Sequence, residues 1–246
     1  MRIHILFAIV VGLLLFINVP RQSASDFTLE TLRDLAETNA IAPVAPAKTV
    51  PDFLTDLNYD QLRHVRWRPE LFLWADEGLP FQLDFVHVGG AHRDIVDIHV
   101  IEANEQKQVR FSSEFFEFGN LELPGQLPDS FGFGGFRVHY PLNRIDKLDE
   151  LVVFQGGTYF RALSQGTVYG LSARGVAVNT ALENITEEFP VFRDFWIKKP
   201  DRREKRIEVF ATMDSPSLTG AFRFDFHPGR KTTVHVTAHL SVALAT

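Results

Sequence analysis

The chain has 246 residues, a net charge of −6 at neutral pH and a pI near 5.8, a length that admits one large β domain or two small ones. That acidic balance supplies no basic field for nucleic acid, and the absence of cysteine leaves the fold to its core alone, without disulfides. Phenylalanine stands out, with 23 Phe against 2 Met, and aromatic side chains suit a pleated sheet better than a helix.

In chain order, Arg2 and His4 precede an apolar run from Ile5 to Val19, followed by Pro20 and the small residues Ser23 and Ser25. A basic start, a short apolar core and small residues read as a secretory signal peptide over residues 1–25, cut after Ser25. The run is shorter than the ~20 residues that span a bilayer. The mature chain is therefore expected to be exported and to carry no transmembrane segment. Residues 27–38 predict a helix, with Thr28 as N-cap, Phe27 stapling onto Leu32 and Glu30 at the positive end. Pro43, Pro46 and Pro51 then mark an extended connector, so residues 26–52 form a helix and Pro-rich link ahead of the main domain at 53–246.

From Pro80 onward the dominant period is two. Phe81, Leu83 and Phe85 alternate with Gln82, Asp84 and Val86. Ile207, Val209 and Ala211 alternate with Glu208, Phe210 and Thr212. Phe222, Phe224 and Phe226 share one face, with Arg223, Asp225 and His227 on the other, and Val234, Val236, Ala238, Leu240 and Val242 form one side of a last strand. Each is expected to be a strand with one buried and one wetter face. Short turns are expected near 143–150 and 187–196, and a solvated loop at the basic run 198–206. The fold class is all-β, a large antiparallel β-sandwich. The last strand, running almost to the end of the chain, is an association hazard: either earlier chain covers it, or the sandwich is incomplete at its C-terminus.

The stretch "GGTYFRALSQGTVYGLSARGVAV", residues 156–178, carries the candidate chemistry. Its glycines match no phosphate-binding loop. Tyr159, Arg161, Tyr169 and Arg174 have two readings. One is a strand-pairing and ion-pair set on a half-wet face. The other is a sugar site, in which tyrosine offers an apolar face with a hydroxyl, arginine a fixed fork of donors, and glycine a close approach of backbone to ligand. A metal is not expected: His235 and His239 on a strand start about 13 Å apart, too far for one zinc. No nucleophile elbow is present. Carboxylates including Asp84, Asp94, Asp97, Asp146, Asp149, Glu150 and Asp214 are plentiful, but a glycosidase pair is defined by a separation that spacing along the chain does not give.

The segments "DFTLETLRDLAE", "PFQLDFVHVGG", "GFRVHYPLN", "GGTYFRALSQGTVYGLSARGVAVNTA", "EEFPVFRDFWIKKP" and "ATMDSPSLTGAFRFDFHPG" resemble, in this order, the periplasmic glucan biosynthesis protein G/D family (OpgG/MdoG, OpgD). The resemblance implies a galactose-mutarotase-like sandwich with a long cleft, followed in the family by an immunoglobulin-like domain. It implies a periplasmic location and a part in making osmoregulated periplasmic glucans, with cleavage of β-1,2-glucan by inversion. It places Tyr159, Arg161, Tyr169, Ser172 and Arg174 in contact with the glucan, requires no cofactor, and makes a membrane glucosyltransferase a candidate partner. Family members are about twice this length, and their general acid lies beyond residue 246. No residue here inherits that role, and Asp214 is expected to serve a turn. Enzyme, binding module and inactive remnant remain three alternatives.

Overall fold

The computed structural model describes residues 27–44, 46, 48, 50–103, 105–122, 127 and 131–243; the expected signal peptide over residues 1–25 lies outside them. Two sheets dominate. One has five strands, β2 (Gln82–Val86), β6 (Gly135–Arg144), β7 (Lys147–Gln155), β8 (Tyr159–Ala162) and β9 (Leu171–Arg174), in the order β2-β6-β7-β8-β9. The other has six, β3 (Asp97–Glu102), β4 (Glu105–Gln108), β10 (Val191–Lys198), β11 (Ile207–Asp214), β12 (Leu218–His227) and β13 (Thr233–Val242), in the order β13-β12-β11-β10-β3-β4. Pairing is antiparallel except between β3 and β10, which run parallel. A short ribbon joins β1 (Arg66–Trp67) to β5 (Phe116–Glu117).

The inner faces meet through phenylalanine. Phe154 on β7 touches Phe195 at 5.0 Å and Phe224 at 5.2 Å on the opposite sheet, and Phe160 on β8 reaches Phe224 at 5.2 Å. The inward faces expected for β2 and β12 are the ones observed, with Leu83, Phe85, Phe222, Phe224 and Phe226 all buried, but Asp84 on the expected wetter face of β2 is buried as well. The result is an all-β sandwich.

The N-terminal helix α1 (Leu29–Ala40) is capped by Thr28, whose hydroxyl accepts from Thr31 N at 3.4 Å. It lies on the outer face of the six-stranded sheet, where Phe27, Leu29, Leu32 and Ala36 bury against Ile101, Trp196, Phe210 and Ala221. Thr219 Oγ1 donates to Ala36 O at 2.6 Å and pins it there. This corrects the half-wet expectation for residues 207–213, because every residue of β11 is buried. Phe210 lies under the helix, and Glu208 is neutralised by Arg223 at 2.5 Å and Lys198 at 3.7 Å.

Further expectations are corrected. Residues 187–196 run into strand β10. A bulge between Phe192 and Asp194 places Phe192 and Phe195 opposite Met213 and Ala211, so two core residues fall three apart and mimic a helical spacing. The turn expected near 143–150 is present as the β6–β7 hairpin, closed around Ile145 and Asp146. The run 198–206 is only partly solvated: Lys199 pairs with Glu102 and, at 2.5 Å, with Glu77, and Arg206 pairs with Asp225 at 2.5 Å. Asp214 ends β11 beside Arg193 at 3.9 Å, while the turn after it is closed by Ser215 and Leu218.

At the far edge, β13 pairs among the described residues only with β12, and the buried face expected for it is not there: Val236, Leu240 and Val242 are exposed and Val234 only half-buried. Among the described residues, no helix is long and apolar enough to cross a membrane, and no group of three or more His, Asp or Glu is placed to hold a metal ion.

Candidate functional site

Among the described residues, no long helix lies on the outer face of the five-stranded sheet. Register brings Asp84, Arg137, Val153, Arg161 and Ser172 into one row across its five strands. Glu150 joins this face through a β-bulge. Period two from the buried Val152 would send Glu150 into the core, but the register shift at Leu151 sets it opposite His139 instead, as bulges re-aim side chains.

The charges then alternate. Arg137 Nε donates to Asp84 Oδ1 at 2.7 Å, and its Nη1 lies 3.6 Å from Glu150 Oε2. Arg161 Nη2 donates to Glu150 Oε1 at 2.6 Å. His139 Nε2 lies 3.4 Å from Asp84 Oδ2 without forming a hydrogen bond, and its ring stacks on Phe72 at 4.6 Å. Each fork is thereby fixed in place by its carboxylate partners.

Walls rise on this floor from the segment between the N-terminal helix and β2. The short helices α2 (Asp52–Thr55) and α3 (Tyr59–Leu62), the latter closed by an Asn58–Gln61 capping box, lead into the β1–β5 ribbon, where Trp67 sits opposite Phe116. They enclose a cavity of about 590 Å³ whose lining includes Tyr59, Trp67, Phe72, His87, His92 and Phe116, over the Asp84–Arg137–Glu150–Arg161 row. This volume falls within the usual range for a ligand cleft. Burial pushes the His92 imidazole below the ordinary histidine range, with Asp94 opposing the shift.

Of the five residues singled out in the sequence, the structure brings Arg161 to this cavity. Tyr159, Ser172 and Arg174 share its face of the sheet by register. Arg174 donates to Thr158 Oγ1 at 2.8 Å and lies over the Phe189 ring at 4.5 Å. Ser172 also borders a second, more apolar cavity between β9 and β13. Tyr169 is parted from the others. It is exposed on the loop before β9 and lines that second cavity with Phe160, Leu171 and Val234. Two of the segment's glycines shape the turn ahead of β8, and a third packs against β8 itself. Gly156 and Gly157 have φ of 69° and 71° in the three-residue β7–β8 turn, a left-handed conformation that glycine adopts without steric cost. A Cβ on Gly170 would meet Ala162 O at 2.3 Å.

Asp84, Arg137 and Glu150 were not nominated from the sequence, nor were Trp67 and His87. The available signal was a charged residue on the polar side of each alternating strand, Asp84 in "FQLDFV" and Arg137 in "GFRVHY". Which strands lie side by side was not available.

The molecule is thus an all-β sandwich with a charged, aromatic-walled cleft on the outer face of one sheet. Its sequence matches the family model described as "Periplasmic glucan biosynthesis protein, MdoG" over residues 27–243, and the chain belongs to that family. It is similar to proteins named glucans biosynthesis protein G. It is 42% identical to the one from Shewanella frigidimarina over 88% of this chain and 39% of the relative. Identity to the protein from Vibrio cholerae serotype O1 is 41%, over 91% and 41%, and to that from Ralstonia nicotianae 40%, over 94% and 45%. The chain spans less than half the length of these relatives.

Proposed function

We propose that the chain binds a β-1,2-glucan along the outer face of the five-stranded sheet, in the service of periplasmic glucan synthesis. The observation that supports this most directly is the alternating row Asp84–Arg137–Glu150–Arg161 flooring a cavity walled by Tyr59, Trp67 and Phe72. A sugar presents apolar faces ringed by hydroxyls, and this surface offers aromatic planes beside oriented donors and acceptors. Tyr159, Ser172 and Arg174 extend the track towards the sheet edge, as a polymer longer than the cavity requires. The reading is binding without cleavage, because both carboxylates lining the cavity are held in ion pairs with guanidinium groups. The reading also includes export by a signal peptide over residues 1–25, a galactose-mutarotase-like sandwich domain after residue 52, and a membrane glucosyltransferase as the source of the glucan.

The test is calorimetric titration of the purified chain with linear β-1,2-glucan, beside a reducing-end assay. Saturable binding without new reducing ends is expected, weakened about tenfold or more by Arg161→Ala and by Glu150→Gln, each of which removes a charged hydrogen-bonding partner. No heat of binding at millimolar glucan overturns the reading; new reducing ends replace it with an enzymatic one.

A further inference from the structure

Unpaired positive charge gathers at one end of the sandwich. The β10–β11 loop (199–206) and the β12–β13 turn (228–232) close the same end of the six-stranded sheet, since Ile207 pairs with Phe226 and His227 with Thr233. Hydrogen bonds carry this end across to the other sheet. Thr232 Oγ1 donates to Leu163 O at 2.6 Å and Gln165 N to Gly229 O at 3.1 Å, while Gly166 N donates to Asn143 Oδ1 at 2.7 Å. The β8–β9 loop (163–170) and the β6–β7 hairpin therefore stand beside the other two turns.

Six exposed cations lie there, Lys147, Arg202, Arg203, Lys205, Arg230 and Lys231, none with a carboxylate within 4.0 Å among the described residues. Of the carboxylates at this end, Asp146, Glu204 and Asp225 are bound to arginine, and Asp149 accepts from Asn143 N; Asp201 is the remaining one. The neighbouring β3–β4 turn adds no surplus, because Lys107 and Lys199 pair with Glu102. In a chain of net charge −6, this end inverts the local field. The basic run 198–206 alone reads as a solvated loop; the fold changes that by setting Lys147, Arg230 and Lys231 beside it. The same turns also expose apolar side chains: Ile145, Val168, Tyr169 and Leu171 are between 82% and 91% exposed, which water disfavours.

We infer that this end docks on an anionic lipid bilayer, with the six cations against the headgroups and Ile145, Val168, Tyr169 and Leu171 in the interfacial layer. Each cation close to such a surface favours binding about fivefold. Apolar side chains flanked by lysine and arginine bury at the boundary of headgroups and acyl chains, a level that suits tyrosine. An acidic protein would match the charge, but the core of a protein interface is an apolar patch poor in charge, whereas aliphatic tips and cations interleave here. None of these residues lines the charged cleft, so docking leaves the cleft open, and the inference stands apart from the glucan-binding reading.

Because the chain has no cysteine, a single introduced thiol makes a local reporter. Val168→Cys carries an environment-sensitive fluorophore at this end, and Val242→Cys carries it at the opposite end, where β13 finishes beside Leu218. Local reporters keep lipid contact by the apolar run at residues 5–19 apart from contact at this end. On vesicles of equimolar phosphatidylglycerol and phosphatidylcholine, the first is expected to shift to the blue and the second to stay unmoved. High salt, or vesicles of phosphatidylcholine alone, should abolish the shift. In the Val168-labelled chain, Arg202→Glu with Arg203→Glu should weaken vesicle affinity about tenfold or more. No shift at Val168, equal shifts at the two sites, or unchanged affinity in the charge-reversed chain overturns the inference. A shift with soluble polyglutamate but not with vesicles overturns it in favour of an acidic protein. Should the charge-reversed chain fail to fold, Arg230→Glu with Lys231→Glu on the other turn takes its place.

Discussion

Removing Asp84 should destabilise the chain as well as weaken the cleft. Its carboxylate is almost fully buried, accepts from Arg137 Nε at 2.7 Å and lies 3.4 Å from His139. Breaking a fully buried pair by deleting one partner costs about 3–5 kcal/mol, because the other charge is stranded. Arg137 is about a third exposed and has Glu150 at 3.6 Å, so part of its charge is rehydrated or re-paired. The expectation for Asp84→Ala is accordingly a loss of about 2–3 kcal/mol. Asp84→Asn, which keeps volume and an acceptor oxygen, should lose about 1 kcal/mol. Removing both partners, Asp84→Ala with Arg137→Met, should recover part of the larger loss, since no charge is then left unpaired. The assay is urea unfolding followed by tryptophan fluorescence, compared through midpoints at constant slope. A change below about 0.5 kcal/mol in Asp84→Ala would refute the claim that Asp84 is a buried carboxylate held by its pairing with Arg137.

Three other outcomes follow from the structure. Burial lowers the folded-state pKa of His87, His92 and His99 from 6.5, so below that value the unfolded chain binds more protons; stability should be full above about pH 6.5 and fall as pH drops through it, and a flat profile in urea unfolding between neutral and mildly acid pH would exclude this. Burial raises the pKa of Asp194, which acts in the opposite sense, so Asp194→Asn should steepen the acid loss. Phe154→Ala, opening a cavity between the two sheets, should cost about 3–5 kcal/mol in the same unfolding assay; a loss under about 1 kcal/mol would mean the sheets do not pack through this ring. The exposed β13 edge carries no charged residue, and such edges pair with one another, so Val236→Lys should reduce concentration-dependent association in sedimentation velocity, and an unchanged profile would clear β13 of that role.

How far the sequence could be read depended on whether a strand kept its period. The Phe222–Phe224–Phe226 face, the Leu83–Phe85 face and the Thr28 cap were legible because local chemistry fixes them and the structure leaves them undisturbed. Period two failed at both β-bulges. At Phe192 and Phe195 the bulge made a strand look like a turn of helix, and at Leu151 it carried Glu150 out of the core line and into the cleft. One residue of the candidate site, Glu150, was hidden for that second reason. Others were hidden by distance along the chain: Trp67 meets Phe116, and Asp84 meets Arg137, only after the sheets assemble. Arg161 was legible because it shares a dense polar stretch with Tyr159. Tyr169, in the same stretch, lies ten residues away on the exposed loop before β9, and nothing in the spacing announced that it would border a different cavity.

The two outer faces of the sandwich explain why the cleft lies where it does. The six-stranded sheet offers Ile101, Trp196, Phe210 and Ala221 outward, an apolar patch that water disfavours, and α1 covers it. The five-stranded sheet offers Asp84, Arg137, Glu150 and Arg161 outward. These charges cannot be sealed under a helix without partners, so they pair with one another along the row instead. The chain between α2 and β5 walls this face on one side and leaves its middle open. Aromatic rings cluster at the base of that wall, because Trp67 and His87 anchor it through Phe116 to the sheet. A surface both charged and aromatic, rigid on its sheet side and open on the other, is therefore the outcome of burying one face and ion-pairing the other.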